Sequence, residues 1–365
     1  MKTPSTHFPL ARALGTALAM SSLLATQAYA QQSNVTIYGR LVDGVMLTTN
    51  QATATPGVLG TTSSIGGNVW GTSLLGFKGE EDLGNGLKAM FLLENGFSGA
   101  NGANNGGSST IFSRRTLVGL SGAFGSLKLG RDLTLPSDQV WGLDPTGQMW
   151  SGTATLVKGR NWPTYNNGIN YISPQFGGAS VQVTYGLGEV AGSTSANSTG
   201  GIALNYAFNN YTVTAMYDFA KDAKGRASSL YQYSNELTLG GTAKLDDLTL
   251  YVGYQSLSAP DTVAVSQSKP DKTSQYWLGL NYRLSPALTL IGAAYHAKVN
   301  QHVGSASQIV VGANYSLSKR TLLYVALANV HNSALSNFNM DFNNPNTAAA
   351  GANPSAFFSG ISHSF

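Results

Sequence analysis

Beyond its first thirty residues the chain repeats one pattern: an apolar residue at every second position, in short runs separated by turn-forming residues. Val35, Ile37 and Leu41 alternate with Thr36, Tyr38 and Arg40. Val181, Val183, Tyr185 and Leu187 alternate with Gln182, Thr184 and Gly186. The same holds for Tyr211 to Phe219, for Leu248 to Gln255 and for Ile309 to Leu317. A period of two sends successive side chains to opposite faces of a strand, so each run has one apolar face and one polar or small face. After residue 30 no apolar run reaches the ~18 residues that a membrane-spanning helix needs. The chain is therefore all-β.

The connections between these runs fall into two alternating classes. Tight turns lie at Asp82–Gly86, Gly122–Gly125, Ser173–Gly178, Phe208–Tyr211, Lys244–Asp247, Leu284–Ala287 and Leu317–Arg320, with ordinary Gly, Asn, Asp and Pro turn chemistry. Longer polar loops lie at Asn50–Asn68, Ser98–Thr110, Leu133–Asn161, Gly188–Gly200, Asp222–Ser229, Ser258–Lys272, Asn300–Ser305 and His331–Asn353. Seven turns and eight loops make fifteen connections and sixteen strands. An even, antiparallel set with short turns at one end and long loops at the other is the organisation of a transmembrane β-barrel. The last strand, Phe357–Phe365, then lies beside the first, Val35–Met46, and closes the sheet.

Charge and export signals agree. Residues 1–30 hold Lys2 and Arg12, an apolar stretch from Ala13 to Ala25, and the small-x-small sequence Ala28-Tyr29-Ala30, which together read as a signal peptide removed before Gln31. Residues 31–365 then form the barrel domain. Without Lys2 and Arg12, 19 basic side chains face 17 acidic ones, a balance that gives no reason to expect a nucleic-acid partner. Charged residues are 10% of the chain, well below the ~25% of ordinary soluble domains. Sixteen strands enclose more space than side chains fill, so the polar face, with Arg40, Lys78, Lys88, Arg114, Asp218 and Arg283, is expected to face water inside and the apolar face lipid outside. Tyr171, Tyr185, Trp277, Tyr295 and Tyr324 are the expected interfacial girdle.

The segment Leu133–Asn161 has no sustained period. It carries Asp138 and Asp144, and Trp141, Trp150 and Trp162 lie in or beside it. A structureless stretch of this length in a compact domain is usually functional, and it is read as a loop folded into the barrel to narrow it. Face parity turns Arg40, with Thr36 and Tyr38, and Arg114, with Thr116, inward. It puts Arg115 on the Leu117 face and Arg131 on the Leu127 and Leu129 face, so both are expected at the rim or at a subunit contact, where they avoid the ~2–4 kcal/mol cost of a lipid-facing Arg.

Several segments together resemble the general porins of Gram-negative outer membranes: VTIYGRLVDGV, SLLGFKGEEDLGNGLKAMFLLENGF, FSRRTLVGLSGAFGSLKLGRDLTLP, YNNGINYISPQFGGASVQVTYGLGE, VGANYSLSKRTLLYVAL and the terminal GISHSF, in the family's order and over nearly the whole mature chain. The resemblance implies a homotrimer of 16-stranded antiparallel transmembrane barrels with short periplasmic turns, long extracellular loops and an inward-folded third loop. It implies passive diffusion of small hydrophilic solutes and ions, in contact with outer-membrane lipid and lipopolysaccharide. Carried over, the constriction comprises Arg40, Arg114 and Arg160 on the wall, with Asp138 and Asp144 as the loop carboxylates; Lys78, on the polar face, and Lys158, which can partly replace a missing wall charge, are expected with them. Where the family has Arg before LGFKG this chain has Leu74, so one rung of the basic ladder is missing. Opposed charges across a narrow pore filter ions by sign, and the excess of basic groups predicts a mild anion preference.

Other chemistry has little support. Cys is absent, and His296, His302, His331 and His363 lie far apart without a carboxylate at metal-ligand spacing, so neither a metal nor a cofactor is expected. The glycine-rich Gly102–Gly107 precedes no helix, and no G-x-S-x-G sequence occurs, so no enzyme is expected. Two alternatives stand: a porin with a solute site built on Trp141, Trp150 and Trp162, and a structural or adhesive barrel.

Overall fold

The computed structural model describes residues 34–55, 57–66, 69–105, 110–147, 149–262, 269–340 and 348–365. The expected signal peptide and the mature start at Gln31 lie outside the described residues, as do parts of the loops expected over Asn50–Asn68, Ser98–Thr110, Ser258–Lys272 and His331–Asn353.

The first wall strands are β1 (Asn34–Ala52), β2 (Leu59–Ile65), β3 (Ser73–Gly84), β4 (Leu87–Phe97), β5 (Arg115–Gly122) and β6 (Gly125–Leu133). Next come β7 (Thr164–Ile172), β8 (Ala179–Gly186), β9 (Thr199–Phe208), β10 (Tyr211–Ala220) and β11 (Asn235–Leu245). The last are β12 (Leu248–Ser258), β13 (Lys272–Arg283), β14 (Leu288–Val299), β15 (Gly304–Ser316), β16 (Thr321–Asn332) and β17 (Ser355–Ser364). Every pairing is antiparallel between neighbours, and β17 pairs with β1 from Arg40 opposite Ser364 to Thr48 opposite Ala356. The sheet closes on itself and leaves no edge at that seam.

The seventeen strands occupy sixteen wall positions. β2 pairs with the upper half of β1 (Val45 to Ala52) and β3 with its lower half (Asn34 to Arg40), so the two share one position. The loop expected over Asn50–Asn68 therefore contains a strand. Its Thr and Ser residues lack the apolar alternation that marks the other strands. Between β2 and β3 the chain leaves the wall. Ser73 Oγ accepts from Val42 N at 2.9 Å and donates to Val42 O at 3.0 Å, replacing ladder bonds where the departing backbone can no longer supply them.

All seven tight turns join the strands expected. The outer face is apolar and open: Ile37, Leu278 and Ile309 are 61%, 63% and 61% exposed, with Val213, Val252, Val311 and Leu327 beside them. Such a surface over so many strands is stable only in hydrocarbon. Tyr171 and Tyr185 lie on it, their hydroxyls donating to Phe124 O and Thr194 O at opposite ends of the wall. Three girdle assignments are corrected. Trp277, Tyr295 and Tyr324 are buried on the inner face, because each has a polar partner there. The outward aromatics include Tyr206, Phe208, Tyr217, Tyr276, Tyr282 and Tyr315.

The inner face is not uniformly polar. Met216, Leu257, Ile291, Val310 and Val330 are buried on the wall of β10 to β16, in one apolar cluster with Leu135, Val140, Leu143, Met149, Leu156 and Val157 of the third loop. That loop lies across this half of the lumen and seals it.

The orientation of the faces gives a test. Leu278→Arg, at an outward site on β13, lowers folding stability in lipid vesicles by about 2–4 kcal/mol, whereas Thr249→Arg, inward on β12, leaves it within about 0.5 kcal/mol. Denaturant titration of the two variants measures both.

Candidate functional site: the constriction

The third loop begins with a short helix, α1 (Leu135–Gln139), with Pro136 in its first turn, where the missing N–H costs nothing. Most of the rest is irregular, so its backbone groups need partners from elsewhere. The far wall supplies them. Trp277 Nε1 donates to Leu143 O at 2.8 Å, Gln275 Nε2 to Thr153 O at 3.0 Å and Gln308 Nε2 to Ser151 O at 2.5 Å. Gln255 Nε2 donates to Asn161 Oδ1 at 2.6 Å, and Tyr295 Oη to Asp144 Oδ1 at 2.6 Å. All five wall residues are buried.

Asp144 is part of this anchor. Its carboxylate also accepts from Thr146 N at 2.9 Å, Thr146 Oγ1 at 2.8 Å and Thr153 N at 2.6 Å. Burial raises its pKa above the ordinary carboxyl value, against these hydrogen bonds. Expected as a constriction carboxylate, Asp144 instead ties the loop to itself and to β14. Arg160 is likewise placed away from the open lumen. It is 1% exposed, with Nη2 on Asp218 Oδ1 at 2.8 Å, Nη1 near Glu236 Oε2 at 3.4 Å and Nε on Ser234 Oγ at 3.1 Å. Burial opposes its charge, and the carboxylates of Glu236 and Asp218 outweigh burial and hold its pKa above the ordinary value. Lys158, at the same end of the loop as Arg160, has Nζ on Asn337 Oδ1 at 2.7 Å and over the Tyr231 and Phe338 rings at 5.6 and 5.4 Å. Burial lowers its pKa.

The opposite wall, β1 to β6, carries the remaining charges. Arg40 faces inward, as its parity required. Its Nε and Nη2 donate to Thr72 O at 3.1 and 2.9 Å, and its guanidinium lies 5.5 Å from the Trp70 ring centroid, so the segment between β2 and β3 holds it. Leu74 is directly opposite Arg40 in the β1–β3 register. Lys78, also inward, lies over the Tyr38 ring at 5.3 Å. Arg114 Nε pairs with Glu94 Oε1 at 2.8 Å, and its Nη1 donates to Thr72 Oγ1 at 3.3 Å.

Arg115 is corrected. It points inward, pairing with Asp138 of the loop, with Asp132 Oδ1 at 3.1 Å and near Glu94 at 3.9 Å. In the run LVGL both faces carry apolar residues, and parity from type alone chose the wrong one: Val118 and Leu120 are exposed outward, while Leu117 is buried inside. Arg114 precedes β5 and reaches the lumen independently of that alternation. Arg131 is at the loop end of β6, on the outer face with Leu127 and Leu129. It donates from Nε to Ser113 O at 2.6 Å, from Nη2 to Thr164 Oγ1 at 2.6 Å and from Nη1 to Asn166.

Glu94 and Asp132 are the carboxylates paired with this arginine cluster that residue reading missed. The signal for Glu94 was present, since it shares a β4 face with Lys88. Between the loop and this wall lies a cavity of about 170 Å3 lined by Arg114, Arg115, Asp138, Trp141, Asn161 and Trp162. Asp138 and Trp141, 30% and 50% exposed, project into open space.

A closed antiparallel barrel, apolar outside and narrowed inside by an anchored loop across from a cationic wall, defines a transmembrane diffusion channel. The sequence profile of the Gram-negative porins matches residues 15–335, and the chain belongs to that family. It is 32% identical over 333 residues to outer membrane porin protein 32 of Delftia acidovorans, covering 86% of this chain and 89% of that one. It is 28% identical over 333 residues to the major outer membrane protein P.IB of Neisseria gonorrhoeae, covering 83% and 90%. Among solved structures, the anion-selective porin from Comamonas acidovorans superposes with a TM-score of 0.75 at 26% identity, over 92% of this chain and all of that one. OmpF of Salmonella typhi shares the fold alone, with a TM-score of 0.64 at 18% identity, over 93% and 100%. The protein is an outer-membrane porin of a Gram-negative cell, a channel for passive diffusion.

The loop anchor is testable. Trp277→Phe and Gln308→Leu each leave a buried loop carbonyl without its donor, a loss of about 1–3 kcal/mol. Both raise the open-channel current noise in single-channel recordings.

Proposed function

We propose that the channel mildly prefers anions, working as a homotrimer and without a catalytic step, after export directed and completed by removal of residues 1–30. One observation carries the preference. Among the described residues, Arg40 is in no ion pair: its hydrogen bonds go to the Thr72 carbonyl and its guanidinium lies over the Trp70 ring, while Glu94 and Arg114 act on it only through space. Lys78 adds a second cation over Tyr38, also without a carboxylate partner among the described residues. Arg114 and Arg115 pair with Glu94, Asp132 and Asp138, so with Arg40 and Lys78 these four cations outnumber the three carboxylates by one. With Asp144 withdrawn into the loop anchor, the aperture is left with an excess of fixed positive charge. Guanidinium groups stay charged over the whole working range, so the field does not fade with pH. The similar porin from Comamonas acidovorans is anion-selective, which supports the same sign here.

The solutes are small hydrophilic molecules and ions, as expected of a water-filled lumen. Polar groups on the outer face of the first strands, including Asp43 and Asn95, are costly in lipid and support a subunit contact there. Because a three-fold contact is head-to-tail, it closes as a ring.

In a salt gradient across a planar bilayer, the wild-type reversal potential falls on the anion side. Arg40→Ala moves it toward the cation side and Glu94→Gln moves it further toward the anion side. A cation-side wild-type value, or two variants shifting in the same direction, contradicts the assignment.

A further inference from the structure

Of the three tryptophans in or beside the third loop, the fold leaves one uncovered. Trp150 is buried and Trp162 partly so, whereas Trp141 is half exposed. Its ring meets no aromatic and no cation among the described residues, and its indole N–H has no partner among them. The backbone beside it is fixed, since Leu143 O accepts from Trp277 Nε1 at 2.8 Å. The ring is therefore held in place with an apolar face in water, which favours whatever covers it.

Beside the ring lies a cavity of about 350 Å3, between the start of the loop and the inner face of β8 to β10. Gln175 and Gly178 of a tight turn also line it, which places it on the periplasmic side of the loop. The wall here is neutral. In register, Ser180 of β8 is opposite Asn205 of β9, which is opposite Thr214 of β10. Thr214 Oγ1 donates to Asn205 Oδ1 at 2.7 Å, and Gln139 Nε2, from α1, donates to Gln182 Oε1 at 2.7 Å. The Asn205 amide N–H groups, the Ser180 hydroxyl and the Gln139 carbonyl oxygen are left without partners among the described residues. Among the described residues that line the cavity Asp138 alone is charged, and Arg115 holds it.

One ligand chemistry matches the bare ring, the open donors and acceptors, and the neutral wall. A pyranose has an apolar C–H face that covers an indole, and a rim of hydroxyls that both donate and accept. Adjacent strands set their side chains about 4.8 Å apart, close to the separation of hydroxyls across one sugar ring. The volume suits a small molecule. An inorganic ion gains nothing from the indole face, and the cations without ion pairs, Arg40 and Lys78, lie on the opposite wall.

We propose that Trp141, with Ser180, Asn205 and Thr214, forms a weak subsite for a neutral sugar on its way through the pore. The proposal deepens the diffusion-channel reading and rests on it: ions follow the cationic wall and sugars the neutral one. Binding is weak enough for release, as conduction requires. Stacking supplies retention, and the hydroxyl contacts supply choice, because a solute without hydroxyls leaves the wall groups unpaired.

The test is maltose added to single channels of the full-length protein in symmetric salt, with current block read against concentration. Trp141→Ala raises the half-blocking concentration roughly tenfold. Trp141→Phe, which keeps a ring, raises it no more than about threefold, and Asn205→Ala also raises it. Tetraethylene glycol, flexible and without a ring, blocks by volume alone and responds to none of these changes. Equal maltose block in wild type and Trp141→Ala overturns the subsite, and so does maltose block no stronger than that of the glycol. Stronger block by uracil than by maltose assigns the ring to planar bases and overturns it too. Reversal potentials on the same channels read the anion preference separately, so a cation-side value contradicts the charge assignment and leaves the sugar result standing.

Discussion

Five side chains on one wall of the barrel, Gln255, Gln275, Trp277, Tyr295 and Gln308, each donate a hydrogen bond into the third loop. An irregular segment inside a membrane barrel can persist only if its backbone is satisfied by protein or water. Here protein does much of it, from strands far from the loop in sequence. The apolar residues of the loop then fill the space between these donors. Remove the donors and the loop has no fixed height in the lumen. The aperture, its size and its field all follow from where the loop is held.

The charge arrangement depends on the same anchor. Asp144 and Arg160 are consumed in fixing the loop, one by four donors and the other by Asp218, Glu236 and Ser234. A buried ion pair adds little net stability but is costly to break from one side, so the Arg160 cluster sets position more than strength. What remains at the opening is Asp138, tied to Arg115, facing a wall on which Arg40 is held by Thr72 and Trp70. The short excursion between β2 and β3 therefore has a second use: it positions the guanidinium opposite the place where the basic ladder lacks a rung, at Leu74.

The strand pattern, the seven turns, the closing pair and the inward loop were legible in the sequence because each is encoded locally, by alternation and turn chemistry. β2 was not, since its Thr and Ser residues alternate nothing. Arg115 was assigned to the wrong face because LVGL offers apolar residues on both. Trp277, Tyr295 and Tyr324 read as lipid-girdle aromatics because residue type shows amphipathicity but not the partner that satisfies it. The same limit applied to Asp144 and Arg160. A charged residue in a constriction loop either faces the solute or holds the loop, and only the long-range contacts decide between them.

The central claim is that the third loop presents one side to water and seals the other against the wall. The chain has no cysteine, so a single introduced thiol reports unambiguously. The measurement is the open-channel current of Trp141→Cys and Val157→Cys before and after a charged methanethiosulfonate reagent. Trp141 is half exposed and Val157 fully buried. The account predicts a stepwise fall in current for Trp141→Cys and none for Val157→Cys. A fall for Val157→Cys, or no response at Trp141→Cys, would mean that the loop is not clamped as described.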